Sequence, residues 1–252
     1  RTGWVPTVLT VGDKPVLEVE SRSDADARLW ATLHEVCELF AGLPWVLVGG
    51  LMVRLLEAEH GRETQVATID VDAIIDVRAM TSGTREAAQR LLDRGFQPER
   101  PDRETVYRFT RSGDIVDVLA PEGLGSSADI VTVPPASTFR AVGGSRALRG
   151  RRRLAVKVGT KQFKVPVPDL AGAIVIKARA ATSTTTSTAK HERDLARLLA
   201  LVDHPYEMRE SMSGKERGYV RRHHALSDPG HAAWAQVADG DLGSQNLAVI
   251  CG

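Results

Sequence analysis

The sequence predicts an α+β fold, a mixed sheet with flanking helices, followed by a mainly helical C-terminal part. Three observations predict it. Short aliphatic and β-branched runs alternate with stretches of helical periodicity through the first two thirds of the chain. Glycine and proline separate these runs at intervals that suit short connections. After Pro168 the strand-like runs stop and helical spacing dominates. An α/β domain over 1–167 and a helical domain over 168–252 are therefore expected.

The elements follow in order. Residues 7–11 and 15–19 read as an extended pair around Gly12-Asp13. Ser23, with Asp26 three residues on, is a capping signal for a helix that aligns Leu29, Trp30, Leu33, Val36, Cys37 and Phe40 on one face. Cys37, Trp30 and Trp45 read as core. Gly42 and Pro44 stop this helix. Residues 45–48 are a short buried strand ended by Gly49-Gly50, and 51–59 form a helix closed by Gly61. The longest strand pattern covers 66–77. A helix over 87–94 ends at Gly95, and 105–109 with 114–119 form a hairpin around Arg111-Ser112-Gly113. Residues 129–133 form a further strand before Pro134-Pro135. A second hairpin joins 154–158 to 162–167 around Gly159-Thr160. Helices over 170–181 and 190–202 flank a low-complexity loop at 182–188, and more helices follow.

Composition excludes several classes. The chain has 252 residues, 42% hydrophobic and 26% charged, with 33 basic against 32 acidic residues and a formal charge of +1. That is ordinary globular composition, not collagen-like or disordered. No apolar run reaches the roughly 18 residues that a membrane span needs, so no membrane partner is expected. Two cysteines, Cys37 and Cys251, build neither a disulfide framework nor a zinc site, and a cytoplasmic setting is expected. The chain opens at Arg1 and shows no signal-peptide pattern; its natural N-terminus is expected upstream.

The segment Thr68-Ile69-Asp70-Val71-Asp72 carries the chemistry. On a strand Asp70 and Asp72 share a face, about 7 Å apart by strand rise, while Ile69, Val71 and Ala73 face a core. Adjacent carboxylates repel unless a cation sits between them, and Mg²⁺ prefers a few carboxylates with phosphate oxygens. Alone, Asp-x-Asp also fits the wet face of an edge strand. The context adds to it: Gly49-Gly50 turns a strand into a helix, where free N–H groups suit an anion. Downstream, Asp117 stands between Val116 and Val118, as a carboxylate rising from a buried sheet would; Asp114, nearer the turn, is the alternative.

Gly-Gly before a helix, Asp-x-Asp on the next strand and a later strand aspartate together resemble the nucleotidyltransferase (polymerase-beta-like) superfamily, over roughly residues 45–119. That resemblance implies a nucleotidyltransferase-type sheet, an NTP-dependent and Mg²⁺- or Mn²⁺-dependent enzyme, Gly49 and Gly50 at the triphosphate, and Asp70, Asp72 and Asp117 holding two metals. Leu51 departs from the small or polar residue many relatives carry there, so phosphate contact would rest on backbone groups. Lys177 on the apolar stripe of its helix reads by itself as snorkelling, and Asp194 as a surface partner of Lys190. Together they resemble the AbiEii/MenAT-type toxin branch, with His191 where an aspartate is common. By that resemblance Lys177 contacts nucleotide phosphate, Asp194 is a further catalytic or orienting acid, a cognate antitoxin is the partner, and the activity adds nucleotides to the 3′ end of tRNA, blocking translation.

Between Arg140 and Lys164 the chain has nine basic residues and no acidic one. This glycine-containing segment reads as flexible and as a footprint for a phosphate backbone, with Arg146, Arg149, Arg151, Arg152 and Arg153 as RNA contacts. Thr68, beside Asp70, is a candidate for regulatory phosphorylation. The alternatives are a nucleotidyltransferase acting on a protein or on a small molecule such as an antibiotic, and a non-catalytic RNA- or antitoxin-binding module. His204, His223 and His224 show no metal-ligand spacing.

Overall fold

The computed structural model of the chain describes residues 8–11, 14–62, 68–182 and 188–252. It is a mixed α+β fold. In chain order the elements are β1 (Val8–Val11), β2 (Lys14–Val19), α1 (Asp24–Leu39), β3 (Trp45–Val48), α2 (Gly49–Glu59), β4 (Val71–Ile75), α3 (Gly83–Asp93), β5 (Gln97–Pro98), β6 (Arg108–Arg111) and β7 (Asp114–Pro121). There follow β8 (Val131–Val133), β9 (Ala136–Ser137), β10 (Arg140–Ala141), α4 (Gly144–Arg149), β11 (Arg152–Val158) and β12 (Lys161–Val167). The last third contains α5 (Leu170–Ala181), α6 (Thr188–Ala200), α7 (Pro205–Ser211), α8 (Gly214–Arg221), a 3₁₀ turn (His224–Ser227), α9 (Ala232–Ala235) and α10 (Gly240–Cys251).

The central sheet runs β3-β4-β7-β6-β5. β4 and β7 are parallel, and the outer pairings β3/β4 and β6/β7 are antiparallel. β10 takes the side of β7 beyond the end of β6, pairing Arg140 with Ala120. A second sheet, β1-β2-β11-β12, places the predicted second hairpin beside the N-terminal pair. Alternation sets the core of the central sheet. Val71, Ala73, Val116, Val118 and Ala120 are fully buried, whereas Asp72, Asp117 and Leu119 belong to the other face. Trp30 and Trp45 lie in the core, as expected, and Cys37 is half-buried with its thiol pushed up to about 12 by burial.

Several boundaries differ from the expectation. β4 starts at Val71, so Thr68, Ile69 and Asp70 precede the strand; residues 66 and 67 lie outside the described residues. Ile69 does not face a core: it is 69% exposed. The hairpin turn is Ser112-Gly113 alone, both at positive φ, and this adds a pair to the ladder at Arg111↔Asp114. α3 begins at Gly83, because Thr84 binds the Val131 carbonyl and draws the first turn onto β8. The loop expected at 182–188 lies mostly outside the described residues.

The basic segment is not a flexible loop. Gly143, at φ +89°, turns the chain into α4, which delivers Arg146 to a buried position. Its guanidinium binds both Asp169 oxygens at 2.8 and 3.0 Å and lies 3.2 Å from Glu216. Asp169 also caps α5 through Gly172 N–H. This cluster ties α4, α5 and α8 together. Removing one partner of such an ion pair strands the others, so Arg146→Ala is expected to lower stability by about 3 kcal/mol. Arg151→Ala, on an exposed side chain, should change it by less than about 0.5 kcal/mol. Urea unfolding of both variants checks this, and equal losses would contradict it.

Candidate active site

The strand ladders assemble the site. Asp72 pairs with Asp117 across β4 and β7, and Asp117 pairs with Arg108 across β7 and β6. One rung of the sheet thus carries two carboxylates and a guanidinium on the same face. Asp70, just before β4, completes the group: one oxygen from each of Asp70, Asp72 and Asp117 lies within 4.8 Å of the others. Asp114 stays outside it, at the turn, bonded to Arg111.

The other flank of Asp72 is the turn from β3 into α2. Val48 pairs with Asp72, and Gly49 leaves the ladder at φ +72°. A Cβ at Gly49 would lie 1.7 Å from an Asp72 carboxylate oxygen, so no side chain fits there. A Cβ at Gly50 would meet Thr68 at 2.8 Å. The glycine pair therefore lets Asp72 and Thr68 close onto the first turn of α2, whose positive end favours anionic groups. The Thr68 hydroxyl donates to Asp70 at 2.8 Å and fixes that carboxylate.

Arg108 does not stand out in the sequence. Its guanidinium donates to both Asp117 oxygens at 2.8 Å and reaches Asp70 at 3.4 Å. A two-residue turn at Ser112-Gly113 makes position 108 the partner of 117, whereas the three-residue turn expected from the sequence pairs 117 with 107; the turn length is thus the signal that finds Arg108. One cation does not balance three carboxylates. Burial, reinforced by the charges of Asp70 and Asp117, raises the Asp72 carboxyl from an ordinary 3.8 to about 7. Burial also raises Asp117, against the opposing pull of Arg108. Three hard oxygen donors converging with surplus negative charge fit a divalent cation of the Mg²⁺ or Mn²⁺ type. Asp70, Asp72 and Asp117 would hold it, and Asp117 would then have to share or release Arg108.

Lys177 and Asp194 meet at 2.8 Å between α5 and α6, each with a side chain 4% exposed. Lys177 does not snorkel, and Asp194 is not a surface acid paired with Lys190. Lys177 and Lys190 both act on Asp72 through space, opposing the rise that burial and the neighbouring aspartates impose. His191 is pushed down to about 4 by burial and by Lys177, which keeps it neutral.

Of the expected RNA contacts, Arg146 is buried in its ion pairs and Arg152 is paired with Glu59. Arg149, Arg151 and Arg153 are exposed, Arg149 standing 3.5 Å from Glu216. A cavity of about 350 Å³ is lined by Arg151, Arg152, Arg153 and Lys164 over Phe40 and Trp45. It lies at the Trp45 end of β3, away from the Val48 end where the carboxylates are.

No protein-family model matches the sequence, and no curated protein matches it. Solved structures similar in backbone include the following two. One is an antigenic nucleotidyltransferase-like protein from Paracoccidioides brasiliensis, at 15% identity over 72% of this chain and 78% of that chain, with a TM-score of 0.43. The other is the antibiotic-resistance factor ANT(2'')-Ia, at 14% identity over 79% of this chain and 95% of that chain, with a TM-score of 0.43. Likeness at this level assigns no chemistry. Among the described residues no helix is long and apolar enough to cross a membrane.

The burial of Asp72 beside two other carboxylates has a measurable cost. Between about pH 4 and pH 7 folded Asp72 keeps a proton that the unfolded chain has lost. The folded state then binds more protons, so its contribution to stability falls as pH rises through that window. In EDTA, wild-type melting temperature should drop more from pH 5 to pH 8 than that of Asp72→Asn, and the variant should be the more stable at pH 8. A wild type at least as stable as the variant at pH 8 would contradict the geometry.

Proposed function

We propose that this protein is an NTP-dependent nucleotidyltransferase that adds nucleotides to the 3′ end of an RNA of the tRNA kind, acting as the toxin of a toxin–antitoxin system. The observation that carries the chemistry is the convergence of Asp70, Asp72 and Asp117 beside a glycine turn that opens a helix. The acceptor hydroxyl oxygen attacks the α-phosphorus, the bond to the bridging oxygen of the β-phosphate breaks, and pyrophosphate leaves. The hydroxyl proton passes to a carboxylate of the cluster. A bound divalent cation supplies charge that acidifies the hydroxyl and offsets the leaving phosphates.

The chain's own residues divide the remaining work. Backbone N–H groups of the first turn of α2, at Gly49 and Gly50, face the triphosphate. Lys177, held by Asp194, adds a fixed positive charge on that side. Arg108 orients Asp117. Thr68 places its hydroxyl against Asp70, so a phosphate on that oxygen would set about two negative charges on the cluster and press on Gly50; this makes Thr68 the regulatory position for an antitoxin that modifies the toxin. The reading of RNA rests on charge distribution: Arg149, Arg151, Arg153 and Lys164 are exposed within a segment without acidic residues.

Labelled NTPs, Mg²⁺ and total RNA test the reading. Label should appear in tRNA-sized RNA with the wild type and vanish with Asp70→Ala while the variant remains folded by circular dichroism. Replacing Arg151, Arg153 and Lys164 by Gln should flatten the salt dependence of RNA binding by roughly two to three units of log K per log salt. Label on a small molecule or a protein would replace RNA as acceptor. No label anywhere would leave a non-catalytic binding module.

A further inference from the structure

Phe139 is 52% exposed, although aromatic rings of its size are normally covered. The ladder places it. Arg140 pairs with Ala120, so Phe139 runs alongside Leu119, and Leu119 shares the face of Asp117 two residues earlier. The Phe139 carbonyl accepts from Ala120 N–H, which anchors the backbone under the ring. Behind it stands Tyr107, half-buried, with ring centroids 4.8 Å apart. Arg108 then connects this pair to the site: its guanidinium lies 5.8 Å from the Tyr107 ring while it holds Asp117 and reaches Asp70. An exposed, backed aromatic surface thus borders the carboxylates on the β6/β10 side.

The order across the sheet decides what this surface meets. Gly49 and the start of α2 lie on the β3 side of Asp72, and Arg108, Tyr107 and Phe139 lie on the far side of Asp117. In phosphoryl transfer the attacking and leaving oxygens are roughly in line. If pyrophosphate departs on the helix side, the attacking hydroxyl arrives from the aromatic side. The group next to that hydroxyl is the terminal nucleoside of the acceptor, and its base offers a flat π-face.

We propose that Phe139, backed by Tyr107, is the stacking platform for the 3′-terminal base of the RNA acceptor, and that it places the terminal hydroxyl against Asp117. This rests on the nucleotidyltransferase reading above and adds to it a subsite for the acceptor. Stacking needs no hydrogen-bond pattern, so the platform accepts any terminal base, with purines held more tightly than pyrimidines. It complements the cationic groove at the other end of β3, which would hold backbone phosphates of the same RNA.

The test uses the full chain without NTP and an RNA hairpin whose single-stranded 3′ tail ends in 2-aminopurine. The wild type should quench the terminal fluorophore on binding. Phe139→Ala should lose the quench and bind about tenfold or more weakly, with its melting temperature unchanged because the ring is half exposed. Phe139→Trp should keep both quench and affinity, which a merely structural ring would not require. The same hairpin with an abasic 3′ end should bind the wild type as weakly as the intact RNA binds Phe139→Ala. Equal quench and affinity in wild type and Phe139→Ala would overturn the platform, and labelled transfer to RNA by both proteins would show that the enzymatic reading survives. Absence of both hairpin binding and labelled RNA with the wild type would overturn the two together.

Discussion

The contact between Arg108 and Asp117 is the constraint around which the site is arranged. Three carboxylates that approach within 4.8 Å would drive one another apart or take up protons. A guanidinium with two parallel bonds to Asp117, and one branch toward Asp70, supplies the charge and the rigidity that the cluster lacks. It compensates only partly, one guanidinium facing three carboxylates, and burial, with the charges of Asp70 and Asp117, keeps the Asp72 carboxyl raised. Three such carboxylates are a donor set that suits a divalent cation. The sheet makes this possible cheaply: parallel β4 and β7 bring the two aspartates side by side, and the antiparallel β6 brings the arginine to the same rung.

The surrounding elements serve that rung. Gly49 allows the strand-to-helix turn to press against Asp72, because any side chain would occupy the place of its carboxylate. Thr68 fills the space over Gly50 and bonds Asp70. Lys177 and Asp194 lock α5 to α6, and the Arg146 cluster locks α4, α5 and α8. The helical third therefore contributes fixed charge to the carboxylates and not only packing. Polarity along the chain follows the same logic: a formal charge of +1 conceals an acidic face on the central sheet and an exposed basic edge on β11 and β12.

How much of this was legible in the sequence varies by residue. Asp117 between two valines could be read because alternation on a buried strand leaves one orientation for a charge. The strand-to-helix turn at Gly49-Gly50 could be read from composition, but not its reason, since the contact with Asp72 and Thr68 is long-range. Ile69 was misplaced because alternation was extended past the true start of β4. Lys177 and Asp194 each read as surface residues because a charge on an apolar helix face has no visible partner until two helices are docked. Arg146 looked like its neighbours in an Arg-rich run; α4 alone turns it inward. Arg108 required the hairpin turn to be counted correctly, an error of one residue that moves every cross-strand partner.

Arg108 bridges Asp117 and Asp70, where a divalent cation held by Asp70, Asp72 and Asp117 would compete with it. Diffraction from crystals soaked in Mn²⁺ and a non-hydrolysable NTP tests this competition most directly. An anomalous peak is expected at coordination distance, about 2.1 Å, from oxygens of the three aspartates, with Arg108 withdrawn from at least one Asp117 oxygen. A Mn²⁺-free cluster with the Arg108–Asp117 pair intact, under conditions where the nucleotide is bound, would contradict it.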